Sequence, residues 1–357
     1  MDYSIFREKI MRTRFWTGVL FGFIYFFGCL LYPQDIQLLK QWKHKADFSG
    51  EVFRSLLDEQ DNLILAHRPG ISMVNENQFV TFARWGQGPN EINGTYGMCE
   101  YHGDLAVFVH KNKIKLFRRN ENRYEYHSLK WLKSDPGSYY LKDAFFADNR
   151  FFLGGIIILE KMKTVRKGAL LRIYNDKTEK IEGDYCGIQY PEPSRYHEIR
   201  KHFAVDGRCV YFLSQHEMKL YNISLDHIAS MKTIELKRPE FYVSMPKDYF
   251  LVKNYKDDLE FFEDMEKWYT SFSAVTRMAV LQGGYLVIQV RTCQPRLKKF
   301  ALLFYNIKTG FSLDKIIYMD GLMLAGKADL LYCVHGGDPM VDEEANPVII
   351  DIFRVVQ

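Results

Sequence analysis

Three histidines stand at the same place in three short apolar runs: His67 closes LILAH, His110 closes AVFVH and His335 follows LYCV. Imidazole is the commonest metal ligand and the usual proton carrier near neutral pH, so a repeated His is the first place to look for chemistry. A second set comes from aligning the first strands of six sequence copies, which puts Arg54, Gly97, Ala144, His202, Arg277 and Leu322 at one equivalent position. One imidazole and two guanidiniums do not make a catalytic zinc centre, which normally takes about three protein ligands. Arg54, His202 and Arg277 suit an anion instead, a carboxylate or a sulfate group, which Arg holds by charge-assisted hydrogen bonds. The competing reading is that they line a channel and are satisfied by water. His67, His110 and His335 are candidates for a metal or a proton relay, but at second-strand positions neighbouring copies lie too far apart to share one ion. Each is expected to bond its own loop or the next copy's backbone. No G-x-S-x-G, H-E-x-x-H or Walker A sequence occurs. No catalytic residue is assigned and no cofactor is expected.

The elements that must position these residues are strands. From residue 35 onward an apolar strand, a polar turn and a second strand recur, followed by a third ending in an aromatic or aliphatic pair. GMCEYHGDLAVFVHKNKIKLFRR, residues 97–119, is the clearest copy. Looser copies begin at Phe53, Lys142, Arg200, Val275 and Leu322. Six copies over residues 35–357, rich in the aromatic and β-branched residues that favour strands, predict an all-β, six-bladed β-propeller with four-stranded antiparallel blades. An α/β sheet would need alternating helices. The one good helix candidate lies in an insert at about residues 239–271, where Tyr255, Leu259, Phe262 and Met265 share a face and acidic residues, Asp257 and Asp258 among them, cover the rest. IQLLKQW (residues 36–42) and VIIDIFRVV (residues 348–356) have no partner strand nearby in sequence, so pairing the two ends in the last blade would close the ring and remove an edge.

RWGQGPNEI, residues 84–92, raises the question of a phosphate-cradling loop. Such a loop offers backbone N–H groups at a helix N-terminus. Here Pro89 deletes a donor, no Gly-Lys-Ser/Thr follows, and the chain enters a strand near residue 96. The stretch therefore reads as a crossover between blades, with Gly86 and Gly88 expected at positive φ, Pro89 stiffening the bend and Glu91 accepting hydrogen bonds from loop amides. WGQGPNEI followed by DLAVFVHKNKIKLF resembles the G-R-G-P-G-E-F crossover and following blade of the bacterial six-bladed β-propeller family related to NHL and TolB-like propellers. Gly86, Gly88, Pro89 and Glu91 match, while Gln87, Asn90 and Ile92 depart from the pattern. The resemblance implies an envelope protein with an export signal, and it adds little about activity.

Residues 15–32, FWTGVLFGFIYFFGCLLY, carry no charge and follow Arg7, Lys9, Arg12 and Arg14. That is the layout of a signal peptide or membrane anchor over residues 1–34, with the remainder exported. A start at Met1 or Met11, retention as an anchor, cleavage, and lipidation at Cys29 behind Gly28 all remain open. The net charge of +4 lacks the clustered basic residues of a nucleic-acid footprint. The six cysteines form no C-x-x-C and read mostly as small buried hydrophobes. Residues 35–357 are thus expected to be extracytoplasmic, in the periplasm or at the cell surface, membrane-anchored or secreted. The expected role is a binding module for an envelope protein, peptide or glycan, with the membrane itself contacted through the N-terminal segment. Trp85, Tyr185, Tyr190 and Tyr196 are the candidate loop contacts. The alternative is a propeller hydrolase or lyase, lactonase-like or NHL lyase-like, working in the channel.

Overall fold

A computed structural model describes residues 36–46, 48, 52–110, 112–121, 123–133, 139–159, 164–185, 201–214, 218–246, 256, 258–294, 296–335 and 348–356. The chain divides into two units, Leu38–Arg354 and Met1–Gln37 with Val355–Gln357. The first is the propeller; most of the second, including residues 15–32 and Cys29, lies outside the described residues. Among the described residues no helix is long and apolar enough to cross a membrane.

After β1 (Ile36–His44), six sheets follow one another along the chain. The first blade is β2 (Val52–Leu57), β3 (Leu63–His67), β4 (Gly70–Val74) and β5 (Phe79–Trp85), extended by the short β6 (Glu91–Ile92). The second is β7 (Gly97–Tyr101), β8 (Asp104–His110), β9 (Lys113–Asn120) and β10 (Arg123–Trp131). The third is β11 (Tyr139–Ala147), β12 (Arg150–Leu159), β13 (Thr164–Asn175) and β14 (Lys180–Tyr185). The fourth is β15 (Lys201–Asp206), β16 (Cys209–Ser214), β17 (Lys219–Ser224) and β18 (Lys232–Glu235). The fifth is β19 (Ala274–Leu281), β20 (Tyr285–Arg291), β21 (Phe300–Asn306) and β22 (Ser312–Met319). In the sixth, β23 (Leu322–Lys327) and β24 (Leu330–Val334) are joined by β25 (Val348–Val355), and β1 supplies the outer strand. The expected closure of the ring by the chain's two ends is therefore present, with Trp42 of β1 buried against Tyr332 of β24 at 5.8 Å between rings.

Blade faces are covered on both sides, which explains why middle strands read as continuous apolar runs rather than alternating ones. LILAH of β3 is buried throughout, and so is FALLFY of β21. Between the first two blades Ile64, Ile71 and Met73 pack on Met98, Val107 and Phe117. Between the next two, Phe108 meets Phe151 edge-on at 5.6 Å. Truncating such a fully buried Phe to Ala costs about 3–5 kcal/mol. Hairpin turns carry the residues their geometry needs: His102 and Gly103 both take positive φ, 50° and 83°, the two-residue turn whose twist matches a hairpin. The insert contributes α1 (Asp258–Thr270), with Glu260, Glu263 and Glu266 in solvent and Trp268 and Tyr269 buried beside Phe272. The side chains of Tyr255, Leu259, Phe262 and Met265, expected on its apolar face, lie outside the described residues.

Candidate functional site

The inner strands β2, β7, β11, β15, β19 and β23 pack side by side in that order, and β23 returns to β2. They enclose a cavity of about 340 Å³ lined by residues from all six blades. A local irregularity in four of these strands decides which side chains enter it. The register of β2 shifts between Val52 and Arg54, of β11 between Leu141 and Asp143, of β19 between Val275 and Arg277, and of β23 between Met323 and Ala325. Each bulge leaves one residue out of the ladder and re-aims the residue after it. The re-aimed residues are Arg54, Asp143, Arg277 and Ala325, and all four line the cavity.

A bulge also frees a carbonyl, and a buried carbonyl needs a partner. Arg54 donates through Nη1 to Phe53 O at 2.6 Å and through Nη2 to Lys142 O, across the channel from the first blade to the third. Arg277 donates through Nη1 to Thr276 O at 2.8 Å and through Nη2 to Val52 O at 3.0 Å, reaching from the fifth blade to the first. Ser55 Oγ donates to Leu324 O at 2.6 Å and ties the first blade to the sixth. The out-of-register residues Phe53, Lys142, Thr276 and Leu324 thus all have their carbonyls bonded by channel side chains. These bonds fix the guanidiniums without neutralising their charge, and both converge on the backbone at residues 52–53.

Asp143 lines the same cavity as the two arginines. Its Oδ1 accepts from Ala144 N at 3.0 Å. Burial pushes its carboxyl up to about 6, against the opposing pull of Arg54, the Ala144 amide and Arg277. His202 of β15 is buried and lines the same cavity. Further along, Cys99 and Glu100 of β7 are also in the wall. Burial pushes the Cys99 thiol up, with Asp143 and Glu100 adding to it. Burial pushes Glu100 up as well, reinforced by Glu59 and Asp58. The channel wall is thus mixed, with apolar side chains such as Leu56, Phe203 and Met278 between a cationic region around Arg54 and Arg277 and an acidic one around Glu100.

Of the equivalent positions expected from sequence, Arg54, Ala144, His202 and Arg277 do line the cavity. Gly97 and Leu322 do not: β7 contributes Met98, Cys99 and Glu100, and β23 contributes Leu324, Ala325 and Gly326. Gly97 instead lets β11 come close, since a Cβ there would sit 3.0 Å from the Ala144 Cβ. The residue that the alignment missed is Asp143, displaced by the bulge at Lys142. The available signal is a lone carboxylate in the middle of an inner strand, where two other copies carry an arginine at the equivalent place.

The three histidines stay within their own blades. His67 is fully buried, with Nε2 2.6 Å from Ser72 Oγ, which in turn lies 2.8 Å from Thr81 Oγ1. His110 Nδ1 lies 3.3 Å from Asn112 Oδ1, and His335 Nε2 lies 2.5 Å from Asp351 Oδ2. Among the described residues no three His, Cys, Asp or Glu side chains form a group that could hold a metal ion.

RWGQGPNEI is a crossover, as its sequence indicates, carrying the chain from the outer β5 to the inner β7. Residues 84 and 85 pair in parallel with 91 and 92. The glycines serve a different end from the one expected. Neither Gly86 nor Gly88 has positive φ. They make room for Glu91: a Cβ on Gly86 would lie 2.2 Å from Glu91 Oε2, and one on Gly88 3.1 Å from it. That same oxygen accepts from Gly88 N at 2.7 Å, as expected of Glu91. Lys115, 8% exposed, donates to Gly88 O at 2.6 Å, Pro89 O at 3.1 Å and Glu91 O, so an ammonium caps the carbonyl side of the loop. Trp85 is 39% exposed, with its ring edge-on to Phe53 at 6.3 Å and Nε1 donating to His67 O at 3.2 Å. Tyr185 is half-buried and packs over Gly183 against the core between the third and fourth blades. Tyr190 and Tyr196 lie outside the described residues.

No family model and no curated protein matches the sequence. Among the solved structures similar in fold are two that cover most of the chain. One is a member of the DUF4221 family from Bacteroides vulgatus, at 12% identity and TM-score 0.54, covering 90% of this chain and 99% of that one. The other is a luciferin-regenerating enzyme, at 10% identity and TM-score 0.52, covering 89% of this chain and 96% of that one. At such identities the likeness is one of architecture, and it agrees with the strand order: the chain is an all-β, six-bladed propeller with four-stranded antiparallel blades.

Proposed function

We propose that this chain is an exported propeller, tied to the membrane through residues 1–34, that acts as a binding module of the cell envelope and takes a small anion in its channel. The observation that carries the second part is the convergence of Arg54, His202 and Arg277, from three different blades, on one cavity. About 340 Å³ lies at the lower end of small-ligand sites. Two fixed guanidiniums against one Asp leave that end of the channel net positive, and a low-dielectric wall strengthens their attraction for an anion. The same charge opposes a metal cation there, so the hydrolase or lyase reading gains no support from this end of the channel.

The test is a thermal-shift screen of the full chain in mild detergent against small carboxylates and sulfated sugars. Stabilisation by an acid that is absent with its amide or alcohol, and lost in R277Q, supports the reading. No shift with any anion at millimolar concentration overturns it. Export is tested separately, by the accessibility of the propeller to protease added outside intact cells.

A further inference from the structure

We propose that the outer edge of the fifth blade takes an extended peptide of a partner protein as one more strand, with apolar side chains on one face of that peptide and acidic ones on the other.

The edge is β22. It lies outermost in its sheet and, among the described residues, pairs only with β21. Its backbone groups on the other side are a template for a further strand. Outer strands elsewhere in the ring guard that edge with charge: Lys180, Glu182 and Asp184 alternate along β14, and Lys232 and Glu235 end β18. The last four residues of β22, Ile316, Ile317, Tyr318 and Met319, carry none. Ile316 and Tyr318 are 36% and 37% exposed.

A groove of about 710 Å³ runs along this edge, with β22 on one side and residues 237–241 on the other. That second wall is fixed. Tyr305 Oη donates to Lys237 O at 2.7 Å, and Gln294 Nε2 donates to Phe241 O at 3.1 Å. Phe241 is buried, with its ring 5.6 Å from that of Tyr318. The groove is thus formed before anything enters it, which lowers the ordering cost of binding.

Side chains alternate along a strand, so Ile316 and Tyr318 share one face of β22 and Lys315 lies on the other. A strand added beside β22 sets one row of side chains next to Ile316, Tyr318 and Phe241, and the other row next to Lys315. Charge selects that other row. Both Asp314 oxygens are engaged inside the blade, Oδ1 accepting from Ser312 Oγ at 2.6 Å and Oδ2 from Asn306 Nδ2 at 3.0 Å. Lys237 and Arg238 line the groove and enter no ion pair among the described residues; Arg238 donates to Ser244 Oγ at 2.9 Å and lies over the Tyr242 ring. The lining therefore sets Lys237, Arg238 and Lys315 against Glu240 and an already bonded Asp314, an excess of positive charge. An acidic row complements it and a basic row is repelled.

The experiment is fluorescence anisotropy of the full chain in mild detergent with a labelled peptide, DIDFDIDFDI, whose alternation gives one apolar and one acidic face. KIKFKIKFKI is the control of opposite charge. The acidic peptide should bind with a micromolar Kd that rises with added salt, and the basic one at least about tenfold more weakly. I316D, which puts a charge on the apolar row at an exposed position, should weaken the acidic peptide about tenfold or more. Hydrogen exchange read by mass spectrometry should slow at residues 312–319 when the peptide is bound, and not on β2 or β19. No binding at millimolar peptide, equal binding of the two peptides, or unchanged affinity in I316D overturns the inference. Protection that falls on β2 or β19 instead of residues 312–319 overturns it as well. So does self-association of the chain that I316D abolishes, measured by sedimentation, because the edge then belongs to a second copy. The wild-type anisotropy and exchange decide the question even if I316D fails to fold.

Discussion

Replacing Asp143 by Asn should stabilise the propeller at pH 8 and leave it nearly unchanged at pH 4. The carboxyl lies at about 6 in the folded chain against an ordinary 3.8, because burial outweighs the attraction of Arg54 and Arg277. A raised carboxyl means that the folded state holds its proton more tightly than the unfolded state does. Its contribution to stability is therefore full below about pH 4 and is lost as pH rises through about 6. At about 1.4 kcal/mol per tenfold in protonation, the displacement corresponds to at most about 3 kcal/mol. Asn keeps the shape and cannot ionise, so it escapes that loss. In a domain of this size the difference is about 3–6 °C in Tm. Scanning calorimetry of wild type and D143N at each pH from 4 to 8 measures it, and comparison of the two chains cancels the titration of every other group. Curves that coincide at pH 4 and separate between 4 and 6, with D143N the more stable, support the balance of burial over attraction. A D143N chain less stable than wild type at pH 8 would refute it, showing that the attraction of the guanidiniums for the carboxylate outweighs its burial.

Other consequences follow from the crossover and the closure. G86A drives a methyl into Glu91 and breaks the Gly88 N to Glu91 bond, so urea melts should show a loss of about 1–3 kcal/mol. K115M leaves the carbonyls of Gly88, Pro89 and Glu91 without their ammonium and should cost a similar amount. Because both changes release the same loop, the double variant should lose less than the sum of the two. Removing residues 38–44 strips the outer strand from the sixth blade and Trp42 from Tyr332, and circular dichroism should show loss of one cooperative unfolding transition; a truncation that melts like wild type would sink the closure.

The architecture was legible because a propeller blade is built locally. Its strands are short, its turns carry their own residues, as at His102-Gly103, and each copy repeats the same sequence rhythm. The closure was legible by elimination, since residues 36–42 and 348–356 had no other partner. The channel was only partly legible. Arg54, His202 and Arg277 come together as their alignment implied, but Asp143 was displaced by the bulge at Lys142, and that bulge carries no Gly or Pro to announce it. A bulge is a backbone event, and a one-residue slip exchanges the side chain that points inward. The crossover shows the converse: its glycines were correctly placed and their reason was not. Gly86 and Gly88 answer to the Glu91 carboxylate, a contact that no dihedral preference reveals.

The central claim is that the channel holds an anion between Arg54 and Arg277, and anomalous scattering from crystals soaked in 4-iodobenzoate would locate it directly. An iodine peak inside the channel, with carboxylate density reaching both guanidiniums, is the predicted result. Iodine only on the outer strands, with the channel unchanged at saturating ligand, would contradict it.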